Sequence, residues 1–84
     1  HSKAYKRNVC RDVVLPQAKK YWNKCKSKPE KKRKKFCCNK AAGLRKGMHK
    51  LGLDNPKRKS GKKCEKFRED IEKIIDLIQE ECDK

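Results

Sequence analysis

The sequence predicts a small all-α bundle of three to four helices held together by disulfide bonds. Apolar residues recur at helical spacing in several stretches, and none alternates with the period of two typical of a half-buried strand. Six cysteines in 84 residues, an even number without metal-site spacing, indicate three disulfide bonds. Because 45% of the residues are charged and only 33% apolar, a core this small needs such crosslinks. We expect a single domain spanning residues 1–84.

The C-terminal stretch carries the strongest helical pattern and is expected to form a long amphipathic helix, the spine of the fold. Its apolar residues fall within one band about 100° wide, and only Leu77 lies off it. The band consists of Cys64, Phe67, Ile71, Ile74, Ile75, Ile78 and Cys82. Since Cys64 and Cys82 are five turns apart, about 27 Å along the axis, they are too distant to bond each other. Each must therefore bond a different part of the chain.

The first part of the chain predicts two short helices that meet at Pro16. Cys10, Val13 and Val14 follow an i, i+3, i+4 pattern, so we expect a helix from about Ala4 to Val14. A proline clashes with the preceding turn, which predicts a break or sharp kink at Pro16 and a new helix from there to about Lys26. The apolar positions of this second helix are Ala18, Tyr21, Trp22 and Cys25.

A third helix is predicted to begin within the segment 27–30, in which Ser27 and Glu30 have the three-residue spacing of a capping box and a proline lies near the start. Gly43 and Gly47 lie within this helix, and each lowers its stability by about 1 kcal/mol relative to alanine. Either the two glycines permit close helix packing or the helix breaks near Gly43. Its apolar stripe consists of Cys37, Ala41, Leu44, Met48 and Leu51. Gly52 is a candidate C-cap, and the short basic loop that follows favours an antiparallel pair with the C-terminal helix.

The pairing of the cysteines is constrained by this arrangement. Adjacent Cys37 and Cys38 point about 100° apart on a helix, so they should bond two separate neighbours. We expect one of them to bond Cys82, and Cys64 to bond Cys10 or Cys25. Each bridge should stabilise the fold by about 2–4 kcal/mol.

The net charge of +16 is unevenly distributed. Residues 1–63 hold 23 Lys or Arg and three acidic residues, a net charge of +20. Residues 64–84 hold four basic and eight acidic residues, a net charge of −4. This pattern predicts an acidic helix inside a basic shell and a positive surface suited to an acidic partner. The acidic helix is either buried among basic neighbours or presented outward.

Catalysis and metal binding are not expected. The only histidines are His1 and His49, without a credible Ser, His and Asp arrangement, and there is no C-x-x-C pair for zinc. We expect no enzyme and no cofactor. Disulfide bonds indicate an oxidising compartment, and the start at His1 fits a secreted protein that has lost its signal peptide. No run approaches the roughly 20 apolar residues of a membrane span.

Two dense basic runs are the candidate partner-binding residues. The first basic cluster is Lys31, Lys32, Arg33, Lys34 and Lys35, and the second basic cluster is Lys57, Arg58, Lys59, Lys62 and Lys63. Like charges at i, i+4 destabilise a helix, so this density favours a role beyond solubility. A specific nucleic-acid motif is missing. The remaining candidate partners are acidic proteins, sulfated glycans such as heparin, polyphosphate and anionic membranes. We expect a monomer to bind them through one basic face.

Tyr21 and Trp22 have two interpretations. Both can fill the small core, or they can form a partly exposed aromatic anchor for a protein partner. The anchor would be rimmed by Lys19, Lys20 and Lys24.

A short, lysine-rich, six-cysteine helical chain resembles the small basic salivary proteins of blood-feeding sand flies, some of which are odorant-binding-like. Lys63–Arg68 (KCEKFR) and the helix after it look like a cysteine-anchored helix of that kind. The C-x-x-x-C pair of odorant-binding proteins is replaced by Cys37-Cys38, which argues against a hydrophobic ligand cavity. The resemblance implies a non-enzymatic inhibitor of host defence, acting on complement or contact-phase coagulation. The alternatives are a venom-type toxin acting on an ion channel and, third, a membrane-active antimicrobial.

Overall fold

Three α-helices make up most of the computed structural model, which describes residues 8–84. A π-helical turn, Cys10–Val14, runs directly into α1, Leu15–Ser27. It is followed by α2, Glu30–Lys50, and by α3, Lys59–Asp83. Residues 8–84 contain no strand, which confirms the prediction of an all-α bundle stapled by disulfide bonds. None of the helices described is long and apolar enough to cross a membrane.

The helices run up, down and up. The start of α2 lies beside the end of α3, where Arg33 pairs with Glu81, so these two helices are antiparallel. α1 and α2 are antiparallel as well, because they are joined by the short turn at Lys28 and Pro29. α1 therefore runs parallel to α3, and the segment before α1 is bonded to the first turns of α3.

All six cysteines form disulfide bonds, and the expected pairings are confirmed. Cys10 bonds Cys64, with Cα atoms 5.4 Å apart, and Cys38 bonds Cys82, with Cα atoms 4.7 Å apart. The third bond joins Cys25 in α1 to Cys37 in α2. Adjacent Cys37 and Cys38 thus hold α2 to two different helices, as their angular separation requires.

The core forms where the apolar stripes of the three helices meet. Ile71 and Ile78 are fully buried, and Phe67 and Ile74 pack against them at the edge, as the α3 stripe predicts. In α2 the buried residues are Cys37, Ala41, Leu44 and Met48. Leu51 was expected in this stripe, but it is 53% exposed because α2 ends one residue earlier. Leu53, beyond the helix, is buried instead.

The chain passes Pro16 without the predicted break. Val14 and Leu15 keep helical dihedrals, and the Leu15 amide donates to the carbonyl of Cys10, five residues back. This wider π-helical turn accommodates the proline, which has no amide hydrogen to offer. The turn also changes which side chains face the core. Cys10 and Val14 are buried, whereas Val13, which was expected in the core, is 39% exposed. The predicted helical residues Ala4–Arg7 lie outside the described residues.

α2 begins where predicted but without the capping box. Pro29 precedes its first residue, and no side chain caps the helix. The Ser27 hydroxyl donates instead to the carbonyl of Asn23, at 2.8 Å, within α1. At the other end the C-cap is Leu51, and Gly52, the predicted C-cap, follows it with φ +72°. The Leu53 amide donates to Met48 and the Gly52 amide to His49, the hydrogen-bond pattern of a Schellman motif.

The two glycines inside α2 neither break the helix nor allow close packing, so both predicted alternatives are wrong. α2 is continuous through Gly43 and Gly47, and a Cβ atom built at either position would have no neighbour within 4 Å. Gly61 in α3 is different, because its Cβ would collide with the backbone carbonyl of Asn55 in the preceding loop. Close approach of Asn55 to α3 therefore requires glycine at position 61.

Gly61→Ala should lower the free energy of unfolding by about 1–3 kcal/mol, because the loop backbone must move away from α3. Gly43→Ala is the matched control and should raise the free energy of unfolding by up to about 1 kcal/mol, since its new methyl group meets open space. Urea denaturation with intact disulfide bonds measures both. Equal effects at the two positions would contradict the packing described here.

Removal of the Cys10–Cys64 bond, by substitution of both residues with alanine, should destabilise the protein more than removal of the Cys25–Cys37 bond. The two bonds close loops with sequence separations of 54 and 12 residues, and the longer loop releases more chain entropy in the unfolded state. The expected losses are about 4 and about 3 kcal/mol. Chemical denaturation of the two double variants tests the order, and a larger loss for the short loop would contradict it.

Candidate functional site

The first basic cluster occupies the first two turns of α2. Lys31, Lys32, Lys34 and Lys35 are exposed to solvent. The amino end of a helix carries a partial positive charge, so lysines in the first turn are unfavourable there. Lys31 and Lys35 are also four residues apart on the same side, which adds like-charge repulsion. These lysines therefore reduce the stability of the helix in which they lie.

Arg33 differs from its neighbours in the first basic cluster because its guanidinium group has partners within the fold. Its Nε donates to the carbonyl of Lys28 at 3.2 Å, and its Nη1 lies 3.8 Å from Glu81 in α3. Glu81 also accepts from Lys84 at 2.8 Å, and its side chain is 14% exposed. Arg33 thus connects the α1–α2 turn to the end of α3, whereas the four lysines of the first basic cluster are exposed to solvent.

The second basic cluster lies in the loop before α3 and in its first turns. Arg58, Lys59 and Lys63 line a hollow of about 480 Å³ together with apolar atoms of Val9 and Leu53. The Asn8 amide donates to the carbonyl of Lys63 at 2.8 Å and closes one side. No acidic residue lies in the first turn of α3, so the positive end of this helix dipole also faces lysines.

The two clusters do not form the single basic face that the sequence predicts. Because α2 and α3 are antiparallel, the start of α2 and the start of α3 are at opposite ends of the bundle. From Arg33, in the middle of the first basic cluster, α2 rises about 26 Å to Lys50 before the loop that carries the second basic cluster begins. A partner small enough to cover one cluster therefore leaves the other free.

Half-buried aromatic rings lie beside lysines near the first basic cluster. Lys40 Nζ is 4.7 Å from the centre of the Tyr21 ring and 5.4 Å from that of Phe36, and Lys28 covers Phe36 at 4.8 Å. Lys26 lies over Trp22 at 5.1 Å. Each ring combines packing against the core with partial exposure, so Tyr21 and Trp22 match neither interpretation alone. Cation–π contact fixes the position of these ammonium groups.

Lysines at the end of α1 add to the positive charge near the first basic cluster, and two of them, Lys26 and Lys28, were not among the predicted site residues. Lys24, Lys26 and Lys28 lie at the same end of the molecule as the first basic cluster, because the turn at Pro29 folds α2 back along α1. The sequence feature that could have indicated them is the lysine at every second position before Pro29. The lysines predicted to rim the aromatic residues were Lys19, Lys20 and Lys24. The lysines that lie over the rings are instead Lys26, Lys28 and Lys40.

The acidic side of α3 faces solvent, which decides between the two alternatives that the sequence leaves open for this helix. The exposed carboxylates are Glu65, Glu69, Asp70, Glu72, Asp76 and Glu80. Two ion pairs join α2 to α3 and both are long, 3.8 Å for Arg33–Glu81 and 3.9 Å for Arg45–Asp76. Exposed pairs of this kind contribute about 0–1 kcal/mol. The surface is therefore divided into an acidic face on α3 and a basic remainder.

Other polar groups form small local pairs. His49 Nδ1 lies 3.0 Å from Asp54 Oδ2 at the exposed end of α2. The pKa of Arg11 is raised above its usual value, first by its hydrogen bond to Asp12 and then by the charge of that carboxylate. Within residues 8–84, no group of three or more His, Cys, Asp and Glu side chains could hold a metal ion.

Comparisons of the chain with protein-family models, with curated proteins and with solved structures found no match.

Lys31→Glu should raise the free energy of unfolding by about 0.5–1 kcal/mol at low salt. The change places a carboxylate at the positive end of α2 and turns the Lys31–Lys35 repulsion into an attraction. Lys50→Glu is the matched control at the opposite end of the same helix, and it should lower the free energy of unfolding. Both changes reduce the net charge equally, so shifts in the same direction in urea denaturation would assign the effect to net charge rather than to the helix dipole.

Proposed function

We propose that this protein is a secreted, non-enzymatic inhibitor of host defence that binds acidic protein surfaces or polyanions through its basic residues. The observation that carries the proposal is the position of the exposed lysines of both clusters. The lysines concerned are exposed to solvent, and those in the first turns of α2 and α3 oppose the helix dipole. They are Lys31, Lys32, Lys34 and Lys35 in the first cluster and Lys57, Lys59 and Lys62 in the second. A partner with negative charge would convert this cost into binding free energy.

Two further features support this proposal. Three disulfide bonds are compatible with an extracellular protein, since such bonds persist in oxidising environments. The resemblance to small basic salivary proteins of blood-feeding sand flies points to complement or contact-phase coagulation as the process inhibited. Both systems act at charged extracellular surfaces, for which charge density matters more than a fixed motif.

The separation of the two clusters has a consequence for the partner. A long sulfated glycan or polyphosphate can contact both ends of the bundle, and linking the two contacts in one ligand raises the affinity without new interactions. A short oligosaccharide spanning less than about 26 Å reaches one cluster only. Affinity for heparin fragments should therefore increase once the fragment is long enough to contact both ends.

The first experiment is elution from immobilised heparin by a salt gradient, beside a classical-pathway complement lysis assay. Three variants that each lose three positive charges are compared, with lysine changed to glutamine. The first-cluster variant changes Lys31, Lys34 and Lys35, the second-cluster variant changes Lys57, Lys59 and Lys62, and the control changes Lys66, Lys73 and Lys84 near the acidic face.

Each cluster variant should bind heparin about 100-fold more weakly than the natural protein, because a lysine near an anionic surface contributes about 1 kcal/mol. The control should lose much less. Elution of the natural protein well above physiological salt, together with inhibition of lysis, supports the proposal. Equal losses in all three variants would mean that net charge alone governs binding. Tight heparin binding without inhibition leaves a polyanion binder, and weak binding without inhibition favours the ion-channel toxin.

A further inference from the structure

A shallow groove of about 320 Å³ runs between α1 and α2, separate from both basic clusters. Gly43 and Gly47 line it, with Leu44 and Met48, which are 6% and 5% exposed. Val13 and Leu51, two of the exposed large apolar side chains, form its wall at one end. All of the lining residues belong to the π-helical turn, α1, α2 or the residue after α2, so the groove opens away from the acidic face of α3.

The fold does not need glycine at Gly43 or Gly47. A Cβ atom would meet nothing within 4 Å at either position, and each glycine weakens a helix by about 1 kcal/mol relative to alanine. Their missing side chains leave space in the groove and bring the α2 backbone close to whatever enters it. The groove thus has a mainly apolar lining, to which Gln17, Asn39 and Lys40 add polar atoms, and its depth depends on two glycines that the monomer could replace.

The surroundings of the groove are almost entirely basic. The hairpin of residues 13–53 contains fourteen Lys or Arg and one acidic residue, Glu30, a net charge of +13. Lys46 and Lys50 follow Gly43 by three and seven residues, so they project on the same side of α2. On α1, Lys20 and Lys24 follow Gln17, which lines the groove, by three and seven residues, so they project on the same side of that helix. Exposed lysines therefore border an apolar groove on both sides.

We propose that this groove docks an acidic amphipathic helix of a partner protein. Apolar side chains at i, i+3 or i+4, and i+7 would contact Leu44, Met48 and Leu51, while carboxylates on either side would face the lysines. From Lys40 to Leu51 the groove is about 16 Å long, which matches three turns of helix. The inference rests on the proposed function and specifies the acidic protein surface that this function requires.

Two other occupants fit less well. A sulfated glycan satisfies the lysines but has no apolar side chains for Val13 and Leu51. A second copy of this chain has a suitable acidic helix in α3, but the apolar stripe of that helix is buried in its own core. The combination of apolar groove and basic border thus favours a different protein.

The test uses three probes in a fluorescence anisotropy titration at physiological salt. The first is a synthetic 16-residue peptide with Leu at helical spacing and Glu at its flanks, the second is the same peptide with every Leu changed to Ser, and the third is a heparin fragment. For the natural protein, the Leu peptide should bind about tenfold more tightly than the Ser peptide, since only the former buries apolar surface in the groove.

Gly47→Leu fills the groove and should remove the difference between the two peptides while leaving heparin binding unchanged. Its Cβ meets open space, so the variant should fold, which circular dichroism and a thermal melt verify. Leu51→Ser should weaken Leu-peptide binding several-fold. Leu77→Ser is the matched control, because Leu77 is 39% exposed on α3 outside the groove and its loss should change nothing.

The outcomes separate this inference from the proposed function. Equal binding of the Leu and Ser peptides, or equal effects of Leu51→Ser and Leu77→Ser, would overturn the groove as a docking site. If the groove is overturned in this way but heparin still binds, the proposed function stands without the groove as a docking site. If neither heparin nor the peptides bind, both fail.

Discussion

The structure depends on two adjacent cysteines in the middle of the chain. Cys37 bonds α1 and Cys38 bonds α3, so one turn of α2 holds both neighbouring helices. Because consecutive residues of a helix point about 100° apart, the two bonds place α1 and α3 on different sides of α2. The Cys10–Cys64 bond then closes the third side, between the segment before α1 and the start of α3. Crosslinks thus define an arrangement that a core this small would not hold alone.

Most of the fold could be predicted from local patterns. The α3 stripe follows from residue spacing alone, and the separation of Cys64 from Cys82 along one helix excludes their pairing. The errors arose where tertiary structure changes local geometry. The π-helical turn at Pro16 shifts Val13 out of the core, and the early end of α2 exposes Leu51 and buries Leu53. Sequence spacing assumes a regular helix and cannot anticipate such changes.

The candidate site was less predictable than the fold. Both basic clusters are visible as runs of lysine and arginine, but their relative position follows from the antiparallel arrangement of α2 and α3, which separates them. Arg33 shows the same limit, because only its contacts with Lys28 and Glu81 distinguish it from the lysines beside it. Composition predicts the charge of a surface, whereas the grouping of charges requires the topology.

Two kinds of residue in this chain act against stability, and both are on the surface. Lysines follow the start of α2 and begin α3, where the helix dipole disfavours them, and Gly43 and Gly47 lie in α2 without a packing reason. Such costs are tolerable because the disulfide bonds constrain the unfolded chain, so the fold does not rely on ideal helices. The scaffold can therefore carry surfaces shaped for binding rather than for folding. The exposed lysines supply charge and the glycine-lined groove supplies apolar shape, which together fit a partner that is acidic and partly apolar.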